Sequence, residues 1–333
     1  MKKLILLMAA CALLTGAYGE GEGAPVEGYP WTTEVHPDWA TVLEGKANFT
    51  IPANTAYIVD GETDMAVLNT WINGTAKWGN IKFGNANSAL ILDNTTTWFS
   101  NGPVFYNARG CLVKRGASLL ANTGADLGYF ASCDWYVEEG TLKEATHYFN
   151  NPACGGKVIV KSGATFWKAF SCPNGNTEIV LEGTGVDGNG ALIVDKCNNN
   201  GMLSRVTLAG DALIALNVDG TFFDRYVPET QPGHYSTGVD PSELKLNGHT
   251  LTIGGTAAKI GFRSADVTSA GTAGSIVLAS LVGGGERTLD LLSGANLSAG
   301  VTVTAKGDAK VLFDGADGVR TAAIVAEGNL TFA

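Results

Sequence analysis

Apolar and polar positions alternate along most of this chain in runs too short for helices and too regular for loops. Leu244-x-Leu246 and Val301-x-Val303 are typical. Alternation with a period of two puts one set of side chains on one face of a strand and the other set on the opposite face. The runs recur as a unit: a short strand, a glycine, then a second short strand with an apolar residue two or three positions on. Cys111-Leu-Val-Lys-Arg-Gly116-Ala-Ser-Leu, Trp135-Tyr-Val-Glu-Glu-Gly140-Thr-Leu and Val158-Ile-Val-Lys-Ser-Gly163-Ala-Thr-Phe show it most clearly. The unit returns around Gly183, Gly210, Gly248, Gly294, Gly307 and Gly328. No segment with helical periodicity longer than two turns is apparent outside the first residues.

From Gly116 to Gly140, Gly163, Gly183 and Gly210 the spacings are 24, 23, 20 and 27 residues. A repeat of this length is one coil of a solenoid or one leucine-rich unit. The helical stretch of a leucine-rich unit is absent, and propeller blades repeat at about twice this spacing. Glycine supplies the positive φ of a tight corner without a Cβ clash. The pattern therefore predicts an all-β protein, a right-handed parallel β-helix in which strands of successive coils stack about 4.8 Å apart. At one coil per 23 or so residues, the chain holds roughly 13 coils in a rod on the order of 60 Å long.

The ends and one interruption divide the chain further. Met1-Lys2-Lys3, an apolar run from Leu4 to Leu14, and small residues to Gly19 predict a secretory signal peptide over 1–19, cut after Ala17 or Gly19. The run is shorter than the roughly 20 residues that span a bilayer. A lipoprotein anchored at Cys11 is the poorer reading, because only Leu4–Leu7 form an apolar stretch before Met8-Ala-Ala. Residues 20–45, with Trp31, Pro37 and Trp39, read as an N-terminal cap or linker. Residues 46–333 form the solenoid, interrupted by a loop insertion at 217–243 that contains Pro228, Pro232 and Pro241. Leu330–Ala333 follows directly on a glycine corner, which predicts either an open strand edge or a truncated chain.

Charge narrows the partners. The full chain carries −10; loss of Lys2 and Lys3 with the leader leaves −12. That excludes phosphate-backbone binding, so no nucleic acid is expected. Glycine at 44 of 333 residues and charged residues at 16% suit short strands with tight corners. The location expected is outside the cytoplasm: extracellular, cell-surface or periplasmic.

Candidate chemistry is sparse. After the leader, Cys111, Cys133, Cys154, Cys172 and Cys197 are 22, 21, 18 and 25 residues apart, close to one coil. They read as stacked buried thiols or as one or two disulfides; zinc would need four converging ligands, and no CxxC or His pair exists. Gly183-Thr-Gly-Val-Asp187-Gly-Asn-Gly190 lacks the Lys-Ser/Thr and following helix of a phosphate loop. Asp187 is a calcium candidate with too few acids around it, and no other cofactor is expected. Glycoside cleavage needs two facing carboxylates. Here the acids Glu138, Glu139, Glu144, Asp187, Asp195 and Asp211 are scattered, and His36, His147, His234 and His249 share no motif. No catalytic residue is assigned. Trp71, Trp78, Trp98, Trp135, Tyr136 and Trp167 either fill the lumen or line a sugar-stacking surface. Trp135, Tyr136 and Trp167 are the glycan-contact candidates.

Leu244-Lys-Leu-Asn-Gly-His-Thr-Leu-Thr-Ile-Gly254 resembles the autotransporter-associated β-strand repeat of bacterial surface proteins. More loosely, residues 104–333 resemble the pectin-lyase-like β-helix superfamily, and the motif ending at Gly190 resembles a structural corner of polygalacturonase-type β-helices. The chain lacks the long alternating strands of a translocator barrel. The resemblance implies an exported, non-enzymatic structural or adhesive scaffold, with polysaccharide or cell-surface components as partners. The alternative it implies is a polysaccharide lyase or glycoside hydrolase on a β-helix.

Overall fold

A computed structural model describes residues 28–75, 81–99, 110–122, 133–144, 156–169, 178–196, 203–223, 242–314 and 323–332. The leader, most of the 217–243 insertion, Trp78, Cys154, Cys172 and Cys197 lie outside the described residues. The described chain is a β-solenoid of about nine turns with all its strand pairs parallel. A first ladder starts at Thr33–Val35, passes through Thr55–Asp60, Ala89–Asp93 and Cys111–Arg115, and ends at Asn296–Leu297. A second runs from Leu119–Asn122 to Ala323–Ala326. A third runs from Gly220–Phe223 to Leu330–Phe332.

The alternation in the sequence produces the lumen. In the first ladder Leu112 registers with Trp135, then Val158, Ile179, Val206 and Leu244, and each of these is buried. In the second ladder Leu142, Phe166, Leu192 and Ile214 do the same. Each such side chain contributes about 1.5–3 kcal/mol by leaving water. Stacking in register sets the inward row, because a slip of one residue would turn every apolar side chain outward.

Most glycines of the repeat are corners. Gly116, Gly140, Gly163, Gly183, Gly248, Gly294 and Gly307 have φ between +66° and +87°. Gly210 does not: the strand Arg205–Leu216 passes straight through it from the first ladder to the second. There the glycine answers crowding instead, since a Cβ would lie 2.8 Å from Glu182 Cγ.

The N-terminal end departs from the sequence expectation. Two helices stand here, α1 (Trp39–Leu43) and α2 (Gly61–Thr75). The second is a four-turn helix in a region read as helix-free. Its apolar residues Met65, Leu68 and Ile72 follow helical spacing and are buried in the solenoid core with Trp39 and Leu43. Val67 and Trp71, apolar but off this face, together with Asn69 and Thr70, dilute the periodic signal. The first rung, Thr33–Val35, lies inside the segment read as a cap. The turn count also falls below the expected 13, in part because the coils that carry α2 and the 217–243 insertion are long, from Ala56 to Ala89 and from Val206 to Leu244, without adding rungs. About nine turns make a rod on the order of 45 Å long.

Residues 28–34, which run into the first rung, form a strap over the outer face of the first ladder. Trp31 is fully buried, and Tyr29 stacks on it at 4.4 Å. They cover Ala56, Ile58, Ala89, Ile91, Cys111 and Val113, the outward apolar row of the early coils. Arg115 pins the strap, holding Glu34 at 3.0 Å and Glu138 at 2.8 Å.

Candidate functional site

Register places the three aromatic candidates in three different settings. Trp135 points into the lumen, 1% exposed, and stacks on Trp98 at 5.6 Å. Its faces are closed to a sugar, which corrects the glycan-contact reading of this residue. The alternation of the strand Asp134–Val137 turns Tyr136 outward, where Tyr29 and Trp31 pack against it edge-on at 5.4 and 5.9 Å. Burial raises the pKa of the Tyr136 phenol, and the strap covers its ring, so this residue too is occupied.

Trp167 is different. It faces outward from the second ladder, half-buried, between Lys143 of one coil and Ile193 of the next. The Lys143 ammonium lies 3.6 Å from the indole centroid. Trp167 Nε1 donates to Asp195 Oδ2, and Asn217 Nδ2 donates to Asp195 Oδ1 at 2.8 Å. One coil on, the Thr256 hydroxyl donates to the Asn217 carbonyl at 3.1 Å. A ring with hydrogen-bonding groups at its edge is an arrangement that takes sugars, through CH–π contact and hydroxyl bonds. Sequence reading singled out Trp167 and noted Asp195 as one scattered acid, but missed Lys143 and Asn217. The only signal linking the four is their separation by about one coil.

The acids do not converge. Glu138 is engaged by Arg115, and Glu139 and Asp187 are exposed at different corners. Asp211 accepts from the Thr250 N–H at 2.8 Å, with His249 3.8 Å away. Asp187, φ +52°, tips the corner between Gly185 and Gly190, where a Cβ on Gly185 would meet the Gly190 carbonyl at 1.9 Å. Close backbone approach explains those glycines. Among the described residues no group of three His, Cys, Asp or Glu converges as metal ligands would.

Glu144 points into the lumen and meets Lys168 of the next coil at 2.8 Å, both essentially unexposed. Burial drives the Glu144 pKa up, opposed by the neighbouring ammonium. A buried pair of this kind is held by its mutual geometry and not by any gain over an apolar pair. Lys114 is likewise buried, its ammonium donating to the carbonyls of Arg115, Gly116 and Glu139 at 2.9, 2.5 and 3.2 Å. Near the other end Arg287, 1% exposed, donates to the carbonyls of Gly254 and Gly255 at 3.0 and 2.8 Å. Both cations satisfy backbone carbonyls at corners that would otherwise be stranded.

The two described cysteines do not stack as one column. Cys111 registers with Asp134, so Cys133 is one residue out of step. Cys111 belongs to the strap-covered outer cluster and Cys133 to the lumen core. The Cys111 thiol is free and donates to the Ala86 carbonyl at 3.6 Å. Burial raises the pKa of Cys111 and pushes Cys133 up to about 12, so both thiols stay protonated and unreactive at neutral pH.

On the outer face of the first ladder beyond the strap, charges alternate from coil to coil. Lys157 meets Glu178 at 3.2 Å, and Glu243 takes Arg205 at 3.2 Å and Lys245 at 3.0 Å. Burial alone would raise the Glu178 pKa, but the Thr207 hydroxyl and Lys157 hold it below the ordinary carboxylate range.

No family model, no curated protein and no solved structure matches this chain. No helix among the described residues is long and apolar enough to cross a membrane.

Proposed function

We propose that this chain is an exported, non-enzymatic scaffold of the autotransporter-repeat kind, acting at the cell surface or outside it and contacting glycans through the outer face of its second ladder. The observation that carries the reading is the Trp167 cluster. A half-buried indole projects from a rigid sheet, with a carboxylate and an amide at its edge supplied by successive coils and the Lys143 ammonium over one face. Sites built on strands hold their geometry better than sites on loops.

A glycan array and a polysaccharide pull-down, with product analysis on every hit, test it. Retention without cleavage is expected. Trp167→Ala should abolish retention while leaving the circular dichroism spectrum unchanged. Lys143→Ala, which uncovers one face of the indole, should strengthen retention. Cleaved product, or retention indifferent to Trp167→Ala, overturns the reading.

A further inference from the structure

The Trp167 cluster is one end of a longer surface. After Trp167 the outward row of the second ladder is filled by Ile193, Ala215 and Gly254, and beyond the paired strands it reaches Ala279 and Lys306. The neighbouring outward row reads Leu213, Thr252, Val277 and Thr304. Ile193, Leu213, Thr252, Val277, Ala279 and Thr304 are half-buried, and Ala215 and Gly254 between them are buried. None is charged. The contrast with the ion-paired face of the first ladder is sharp, in a chain of net charge −10. Among the described residues, the cations of these rows stand at their two ends, Lys143 and Lys306.

Resting on the glycan reading above, we infer that the ligand is a neutral, extended polysaccharide lying along the rod, anchored at Trp167. A polyanion would find no cation along the strip and would be repelled by the net charge of the chain. A polycation would be drawn to the acidic corners instead. The alternation of Thr hydroxyls with Val and Leu methyls matches a sugar chain, which presents hydroxyl rims and CH faces by turns. Successive coils advance about 4.8 Å, a step comparable with one hexose ring. From the Trp167 rung to the Thr304 rung is about five steps, or about 24 Å, room for about five sugars.

Calorimetric titration with β-1,4-linked gluco- and manno-oligosaccharides of two to eight residues, beside oligogalacturonates of the same lengths, tests the inference. Neutral oligomers should bind, with affinity rising to about five residues and then levelling. Val277→Glu should weaken the longer oligomers at least tenfold and leave the dimer unchanged. Thr252→Glu provides a second variant, and unchanged melting of both keeps the comparison sound. Preference for oligogalacturonate, no dependence on length beyond two sugars, or indifference to both strip variants while Trp167→Ala still abolishes binding would overturn the strip and leave the Trp167 reading standing. No binding of any glycan, on the array or here, overturns both.

Discussion

Gly140 and Gly163 occupy the same corner in adjacent coils, because Val137 registers with Val160. Both have positive φ, +66° and +85°. Their surroundings differ. A Cβ on Gly140 would lie 2.5 Å from the Ser118 carbonyl oxygen and 2.6 Å from that of Gly116, whereas one on Gly163 meets nothing within 4 Å. Gly163→Ala should therefore cost only left-handed backbone strain, about 1–2 kcal/mol. Gly140→Ala should cost distinctly more, since backbone must move; denaturant midpoints of the two variants check the order. Lys114 gives a prediction of the opposite kind. Burial pushes its ammonium down to about 8 from the ordinary 10.5. Between those values the unfolded chain holds a proton that the folded chain has released, so stability rises with pH across that window. Thermal melts of wild type and Lys114→Met from pH 7.5 to 10.5 should show the wild type gaining on the variant as pH rises. A parallel pair of curves would remove Lys114 from the account.

The strap and α2 are the elements that decide the N-terminal end. Arg115 joins Glu34 to Glu138, with the three side chains between 13% and 26% exposed. Hydrogen bonding by Arg115, its largest cause, holds the Glu34 carboxyl below the ordinary carboxylate range, against burial. The contribution is present above the ordinary carboxylate pKa and lost as pH falls through the lowered one. Arg115→Met should cost about 1 kcal/mol globally, shift Trp31 emission to the red and admit protease to residues 28–36; acid should loosen the strap in the wild type in the same way. Intact protection in the variant would show that Tyr29 and Trp31 hold the strap alone. The strap was not legible in the sequence, because Ala89, Leu90, Ile91 and Leu92 are all buried and a continuous apolar run does not say what covers its second face. Nor was α2, whose apolar residues Met65, Leu68 and Ile72 are three and four apart but separated by the strand-favouring Val67, Thr70 and Trp71. The glycine corners were legible, since a left-handed turn excludes most other residues.

At the scale of the whole molecule, the parallel solenoid followed from the repeat itself, and the number of turns did not. Spacing counts residues, and an inserted helix or loop consumes residues without adding a rung. The outer surfaces were legible only in part. Trp167 stood out by residue type, whereas its partners Lys143, Asp195 and Asn217 become neighbours only once the coils are stacked. Helix α2 packs against the early rungs through Met65, Leu68 and Ile72. Chains emerge from the ribosome amino end first, and in a repeat array each unit is stabilised chiefly by the one beside it. The rungs that α2 braces are therefore made before the rest of the rod, and each completed turn serves as the template edge on which the next is laid, so that the rod assembles in the order in which it is made.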